Sequence, residues 1–246
     1  MINKKKVIGI VPARIGSKGL KFKNLKKLNS QPLIYWPIRT LKKSKYIDKI
    51  ILNTDSKILR NLGIKMGAES PFLRPKYLAS DNSKIADVII HSLKYFEKKK
   101  IFYDYILLLE PTSPLTTSQD VNQAIEILEK NNDKADALVS VAENVSAHPK
   151  FCVKLDKYQM LKNYKKKFYD INRQKLDKIY FYSGNFYLSK VRTFIKRKTF
   201  YHEKTKAIIS SKAKSFEIDD KLDFFLIEKI MKFYNKKNIK KKKNNE

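Results

Sequence analysis

The sequence predicts a three-layer α/β/α fold around a mainly parallel sheet. Two observations carry this. Short apolar runs without polar alternate positions recur at residues 7–11, 50–52, 105–109 and 138–141, as strands buried on both faces require. Segments with apolar residues at helical spacing lie between them, so strand and helix alternate through residue 141 and right-handed crossovers follow.

The first strand, 7–11, ends at Pro12 and opens a glycine-bearing loop. Residues 31–45 read as a helix, with Pro32 tolerated in its first turn and Leu33, Trp36 and Leu41 on its apolar side. The strand at 50–52 runs into Asn53, Thr54 and Asp55. A helix at 57–66 is stopped by Gly67. A loop spans 71–81, and 85–98 repeats Ile85, Val88, Ile89, Leu93 and Phe96 at helical spacing. The strand at 105–109 leads into Glu110-Pro111-Thr112-Ser113-Pro114-Leu115. Ser118 can cap a helix whose inner face is Val121, Ala124, Ile125 and Leu128. The alternation breaks over 143–185. Short strands there, at 152–155 and 180–182, bracket a lysine- and tyrosine-rich stretch that reads as an arm able to pair with a second subunit. Residues 186–188 return to strand character, and 207–211 and 214–218 read as extended. An amphipathic helix at 222–234 closes the fold, with Leu222, Phe225, Leu226, Ile230 and Phe233 on one face. One domain, 1–235, is expected, followed by a solvated, disordered lysine-rich tail at 236–246.

Composition narrows the function. The chain has 246 residues, 42% of them hydrophobic, enough for a sizeable core. No apolar run approaches a membrane span. The single cysteine excludes an internal disulfide and a cysteine-based zinc site, and points to a reducing cytoplasm. Cys152 itself reads as core filler. His91, His148 and His202 lack metal spacing. A net charge of +30 opens the alternative of a non-catalytic polyanion-binding protein. The lysines are spread along the whole chain, however, and no nucleic-acid signature accompanies them, which favours a general compositional bias.

The loop after the first strand is the most informative stretch. Of only six glycines, three (Gly9, Gly16, Gly19) fall within residues 7–24, and cations Arg14, Lys18, Lys21 and Lys23 surround them. Glycine admits backbone N–H groups close to a ligand and the cations answer negative charge, so a phosphate-bearing ligand fits. The dinucleotide and ATP-loop glycine fingerprints are both absent. The order Pro12-Ala13-Arg14-x-Gly16-Ser17-Lys18-Gly19-Leu20, with Lys23-Asn24 after it, resembles the amino-terminal signature of the CMP-sialic acid synthetase (acylneuraminate cytidylyltransferase) family.

The resemblance extends to about residue 230. Arg74-Pro75 and Leu78-Ala79-Ser80-Asp81 resemble the family segment beside the base. Residues 111–115 resemble its Pro-Thr-Ser-Pro-Leu segment between nucleotide and sugar. Arg173-Gln174 with Gly184 and Tyr187 resembles the sugar pocket, and 215–224 resembles the magnesium-holding segment. The resemblance implies a nucleotidyltransferase-like (Rossmann-like) fold, a homodimer, Mg²⁺, and transfer of CMP from CTP to an acidic, sialic acid-like nonulosonic sugar. An eight-carbon Kdo-type acid is the alternative substrate, and an inactive nucleotide-binding relative a further one. It assigns catalysis to Arg14, Lys23 and Asp219, and nucleotide binding to Ala13, Arg14, Ser17, Lys23, Asn24, Arg74, Ser80, Asp81 and Ser83. Sugar binding falls to Glu110, Thr112, Ser113, Arg173, Gln174 and Tyr187, and metal binding to Glu217 and Asp219. The chemistry agrees: an arginine fork and a lysine point charge suit a triphosphate, and Mg²⁺ takes carboxylate and phosphate oxygens. Apart from the resemblance, the preferred reading is Asp219 or Asp220 as the cap of the last helix, with Asp223 supporting its first turn. Asp55 is either structural or a metal-side helper. The chain departs from the pattern at Glu110 (usually glutamine), Glu217 (usually aspartate), Ser183, Phe181 and Asn82-Ser83-Lys84. Glu110 is expected to face an amine or several hydroxyls of the sugar.

Overall fold

The computed structural model describes residues 2–17, 19–144, 147–163 and 173–243. In chain order the elements are β1 (Val7–Pro12), the small pair β2 (Lys27–Leu28) and β3 (Gln31–Pro32), α1 (Tyr35–Lys42), β4 (Lys49–Asn53), α2 (Lys57–Met66), α3 (Ile85–Lys98), β5 (Tyr105–Leu108), α4 (Ser118–Lys130), β6 (Ala137–Glu143), β7 (Val153–Leu155), β8 (Leu161–Asn163), β9 (Tyr180–Lys190), α5 (Val191–Arg197), β10 (Thr205–Ile209) and α6 (Lys221–Lys243).

The central sheet has the order β10-β6-β9-β5-β1-β4. β1 pairs in parallel with β4 and β5, and β10 in parallel with β6. The mainly parallel sheet is as expected, with one addition. The residues read as two short strands at 180–182 and 186–188 form a single long β9, inserted antiparallel between β5 and β6. Its register against β6 shifts between Val139 and Val141, the signature of a bulge that re-aims the strand. β1, β5 and most of β6 are buried. One core cluster packs Val7, Val11, Leu52 and Leu107 with Ile38, Leu59 and Ile125 from helices α1, α2 and α4. The other joins Ile8, Ile10, Ile51 and Ile106 with Ile89 and Phe96 from α3 and Phe194 from α5. Helices therefore cover both sheet faces.

Several expectations are corrected. The first helix starts only at Tyr35, because Gln31–Pro32 pairs with Lys27–Leu28. Thr117, not Ser118, caps α4: its side chain accepts from the Asp120 amide while Asp120 accepts from the Thr117 amide, a complete capping box. Residues 214–218 are not a strand, since Lys212–Ser215 forms a 3-10 turn. Cys152 is exposed rather than core. In α6 it is Ile227 and Met231 that are buried, against Leu20, Leu28, Leu33 and Ile218. Leu222, Phe225, Leu226 and Phe233 lie on the surface. The backbone of α6 also runs on to Lys243, into the lysine block. Within the stretch read as an arm, β7 and β8 form an antiparallel hairpin; 164–172 lies outside the described residues.

Thr117→Ala removes the cap of α4 and should lower unfolding stability by about 1 kcal/mol, read from the denaturant midpoint, with activity unchanged.

Candidate active site

β1, β4 and β5 run parallel, so their carboxyl ends share one sheet edge. There Ala13 and Arg14 follow β1, Asn53 ends β4, and Glu110 follows β5. Open α/β sheets bind ligands at that edge. The loop after β1 is fixed by backbone contacts from both sides. The Ala13 N–H donates to Asn53 O at 3.0 Å, the Ile15 N–H donates to Asp55 Oδ1 at 2.8 Å, and Asn24 Nδ2 donates to Arg14 O at 2.8 Å. Asp55 is thereby structural. Ser17 Oγ donates to Leu20 O at 2.5 Å and accepts from the Lys23 N–H at 3.2 Å.

A cavity of about 440 Å³ opens above this loop. Arg14, Ser17, Lys23, Asn24, Arg74, Ser80, Asp81 and Ser83 all line it, joined by Glu110, Thr112 and Asp219. Residues far apart in sequence are thus gathered as expected. Arg14 pairs with Asp81 at 2.7 Å and donates to Ala79 O at 3.3 Å. Ser83 Oγ donates to Tyr77 O at 2.8 Å and accepts from Ser80 Oγ at 2.8 Å.

Arg74 is buried, and its Nε donates to Asn53 Oδ1 at 2.7 Å while Nη2 donates to Asn53 O at 2.6 Å. Burial, with the nearby Arg14 charge, pulls its guanidinium down to about 10, against the attraction of Asp55. Asn53 is fully buried and also donates to Val88 O and Ser92 Oγ. It organises the Arg74 side of the cavity but was absent from the expected site. Its signal in sequence was a polar residue closing an apolar strand.

The opposite wall is acidic. Lys23 Nζ donates to Ile218 O at 2.7 Å and pairs with Asp219 at 3.3 Å. Glu217 sits behind the cavity wall, where its Oε1 accepts from Ser113 Oγ at 3.3 Å and Thr112 Oγ1 at 3.5 Å. Ser113 is buried, and its one hydroxyl proton is shared between Glu217 and the nearer Gly184 O at 2.9 Å. Gly184 has φ +63°, and a Cβ there would overlap the Glu217 carboxylate. Burial, then Glu217, pushes Glu110 up to about 7, with Lys23 opposing. Burial and Asp219 likewise raise Glu217, against its hydroxyl donors and Lys23. Burial and then Glu110 raise Tyr187, which stacks near Phe200 and Tyr201. Gln174 is exposed and does not line the cavity. The Arg173 side chain lies outside the described residues.

Among the described residues no group of three or more His, Cys, Asp or Glu is placed to hold a metal ion. Glu217 and Asp219 flank buried Ile218; Asp219 lines the cavity, while Glu217 is held on Thr112 and Ser113 behind its wall. Carboxylates are the donor type that a hard divalent cation takes.

Known proteins resemble this chain in sequence and in fold. A family model described as cytidylyltransferase matches residues 8–244. The chain is 32% identical over 228 residues to a CMP-N,N'-diacetyllegionaminic acid synthase of Legionella pneumophila, covering 92% of this chain and 96% of that protein. It is 31% identical to an N-acylneuraminate cytidylyltransferase of Escherichia coli, covering 95% of this chain but 54% of that longer protein. A solved CMP:2-keto-3-deoxy-manno-octonic acid synthetase complexed with CTP shares the fold with a TM-score of 0.67 at 14% identity, covering 93% of this chain and 99% of that one.

Two outcomes follow from the acidic wall. Gly184→Ala should displace the Glu217 carboxylate and strain the backbone, costing about 2 kcal/mol of stability together with activity. Glu110 binds its proton more tightly folded than unfolded, so its contribution is complete below its ordinary range and is lost as pH rises towards 7. Stability of the wild type relative to Glu110→Gln should therefore fall between pH 4 and pH 7, by no more than about 3 kcal/mol, read by thermal melts across that range.

Proposed function

The chain belongs to the cytidylyltransferase family, and from that premise we propose that it couples CTP to a nine-carbon acidic sugar, releasing pyrophosphate and a CMP-sugar. The single observation that carries this reading is the shared cavity. Lys23 from the loop after the first strand and Asp219 from near the far end of the chain line it together and touch. A nine-carbon acid is preferred over an eight-carbon one because the relatives similar over nearly the whole chain include a legionaminic acid synthase, whereas the eight-carbon enzyme is a likeness of fold. A non-catalytic, polyanion-binding role does not account for this cavity.

In this reading the triphosphate lies over the loop at Gly16 and Ser17, with Arg14 and Lys23 answering its charge. Asn24, Ser80, Asp81 and Ser83 frame the nucleoside, and buried Arg74, held by Asn53, supports that wall. The sugar approaches along Glu110, Thr112 and Tyr187. Its anomeric hydroxyl oxygen bonds to the α-phosphorus, the bond to the β-phosphate oxygen breaks, and the hydroxyl proton passes to the acidic wall. Glu217 and Asp219 would hold Mg²⁺, which when bound draws charge from the phosphates. Arg173 is proposed to meet the sugar carboxylate from the arm. That arm carries exposed Val153, Leu155, Tyr158 and Leu161, apolar surface suited to pairing with a second copy. The cytoplasm suits both a CTP-consuming reaction and the free thiol of Cys152.

Pyrophosphate release measured with CTP and a panel of nine- and eight-carbon sugar acids tests the reading. Turnover is expected with CTP and a nine-carbon acid. Equal turnover with other nucleoside triphosphates, or none with any acid, would overturn it. Lys23→Ala and Asp219→Asn should each lower kcat/KM by about 100-fold or more. Glu110→Gln should reorder the acids by kcat/KM while leaving CTP as the nucleotide used.

A further inference from the structure

Helix α6 has two apolar faces, and the described residues cover one. Ile227 and Met231 are buried against the core. Leu222, Phe225 and Phe233 are 73%, 56% and 64% exposed. With Leu226 they share one side of the helix, Leu222, Phe225 and Leu226 within one turn and Phe233 two turns further on, with Lys229 between them. Isolated exposed apolar residues are ordinary, but a stripe of large ones on one helix marks a contact surface.

The charge around the stripe says which kind of contact. Lys221, Lys229 and Lys232 are exposed on the same helix, and Lys229 Nζ lies 4.9 Å from the centre of the Phe225 ring. Of the acids of this helix, Glu228 pairs with Lys232 at 3.1 Å, and Asp223 accepts from the Asp219 and Asp220 amides, which leaves Lys221 and Lys229 to set the charge beside the stripe. The helix then continues into Lys236, Lys237 and the lysines at 240–243.

We propose that α6 docks the protein on an anionic lipid bilayer surface, with Phe225 and Phe233 entering the headgroup boundary and the lysines meeting lipid phosphates. A modest apolar patch or a polybasic segment alone binds a bilayer marginally, whereas the two together anchor a protein. No helix among the described residues is long and apolar enough to cross a membrane, so the contact lies on the surface. A second copy suits this stripe poorly, because pairing α6 with α6 would join two lysine-dense helices. The proposal does not depend on the substrate of the active site.

The test is co-sedimentation of the full chain with phosphatidylcholine vesicles, pure or containing about one third phosphatidylglycerol. Binding is expected to the anionic vesicles only. A Phe225→Ser, Phe233→Ser variant should partition at least about tenfold more weakly, and a Lys236→Gln, Lys237→Gln, Lys240→Gln variant should weaken similarly. Pyrophosphate release without vesicles should be unchanged in both. A Phe225→Trp variant supplies an independent readout, its emission shifting blue on anionic vesicles alone. Equal affinity for neutral vesicles, undiminished binding by the double phenylalanine variant, or an unshifted emission from the Phe225→Trp variant would each overturn the proposal. So would loss of a dimer by the double phenylalanine variant, in light scattering, with vesicle partition unaltered, since a second copy would then cover the stripe.

Discussion

Ile218 is the residue on which the site depends. Its side chain is fully buried among Leu20, Leu28, Leu33, Ile227 and Met231. Its N–H donates to Thr112 O at 2.9 Å and its carbonyl accepts from Lys23 Nζ at 2.7 Å. One residue thus stitches the loop after β1, the segment after β5 and the approach to α6. Burying an isoleucine contributes about 2 kcal/mol, and each neutral hydrogen bond about 1 kcal/mol more. Because Ile218 is anchored in the core, the positions of its two neighbours are fixed as well. Glu217 meets Thr112 and Ser113, and Asp219 meets Lys23. The close approach at Gly19, where a Cβ would overlap Asp219 O, shows how little room this docking leaves.

The cations of the cavity are held by partners they can give up. Asp219 has 82% of its side chain exposed, and in the Arg14–Asp81 pair the two side chains are 33% and 42% exposed. Exposed pairs contribute about 1 kcal/mol or less. In the proposed function a triphosphate would bring several charges at once and so outcompete either carboxylate. The pairs keep Arg14 and Lys23 oriented without trapping them. Arg74 is held differently. It is buried on Asn53 with neutral acceptors, and leaving it unpaired would cost more than the bonds return. It therefore acts as framework rather than as an exchangeable charge.

The sequence made the parallel half of the sheet legible because buried parallel strands are uniformly apolar, as 7–11 and 105–109 are. Helices with one apolar stripe, such as α3 and α4, were equally readable. α6 was not, because it carries two stripes and periodicity cannot say which one meets the core. β9 was split in reading because Ser183, Gly184 and Asn185 interrupt its apolar pattern. All three are buried in the structure or pressed against Glu217, so the interruption is a tertiary fit, not a turn. The cavity residues were found from short motifs with distinctive order. Asn53 escaped because its role lies in contacts to Arg74, Val88 and Ser92, none of them adjacent to it in sequence.

In the proposed reaction an anionic sugar would have to approach the acidic wall of Glu110, Glu217 and Asp219. Two like charges about 4 Å apart repel by about 4 kcal/mol at the effective dielectric of a protein surface. Burial and Glu217 answer part of this by pushing the Glu110 carboxyl up to about 7. At neutral pH that group is neutral for much of the time, and a neutral carboxyl donates one hydrogen bond and accepts others, as the amide of glutamine does. The substitution of glutamate for the glutamine usual at this position therefore changes the wall less than its formal charge suggests. It also makes the hydrogen-bonding character of the sugar side depend on pH, because ionised Glu110 can only accept.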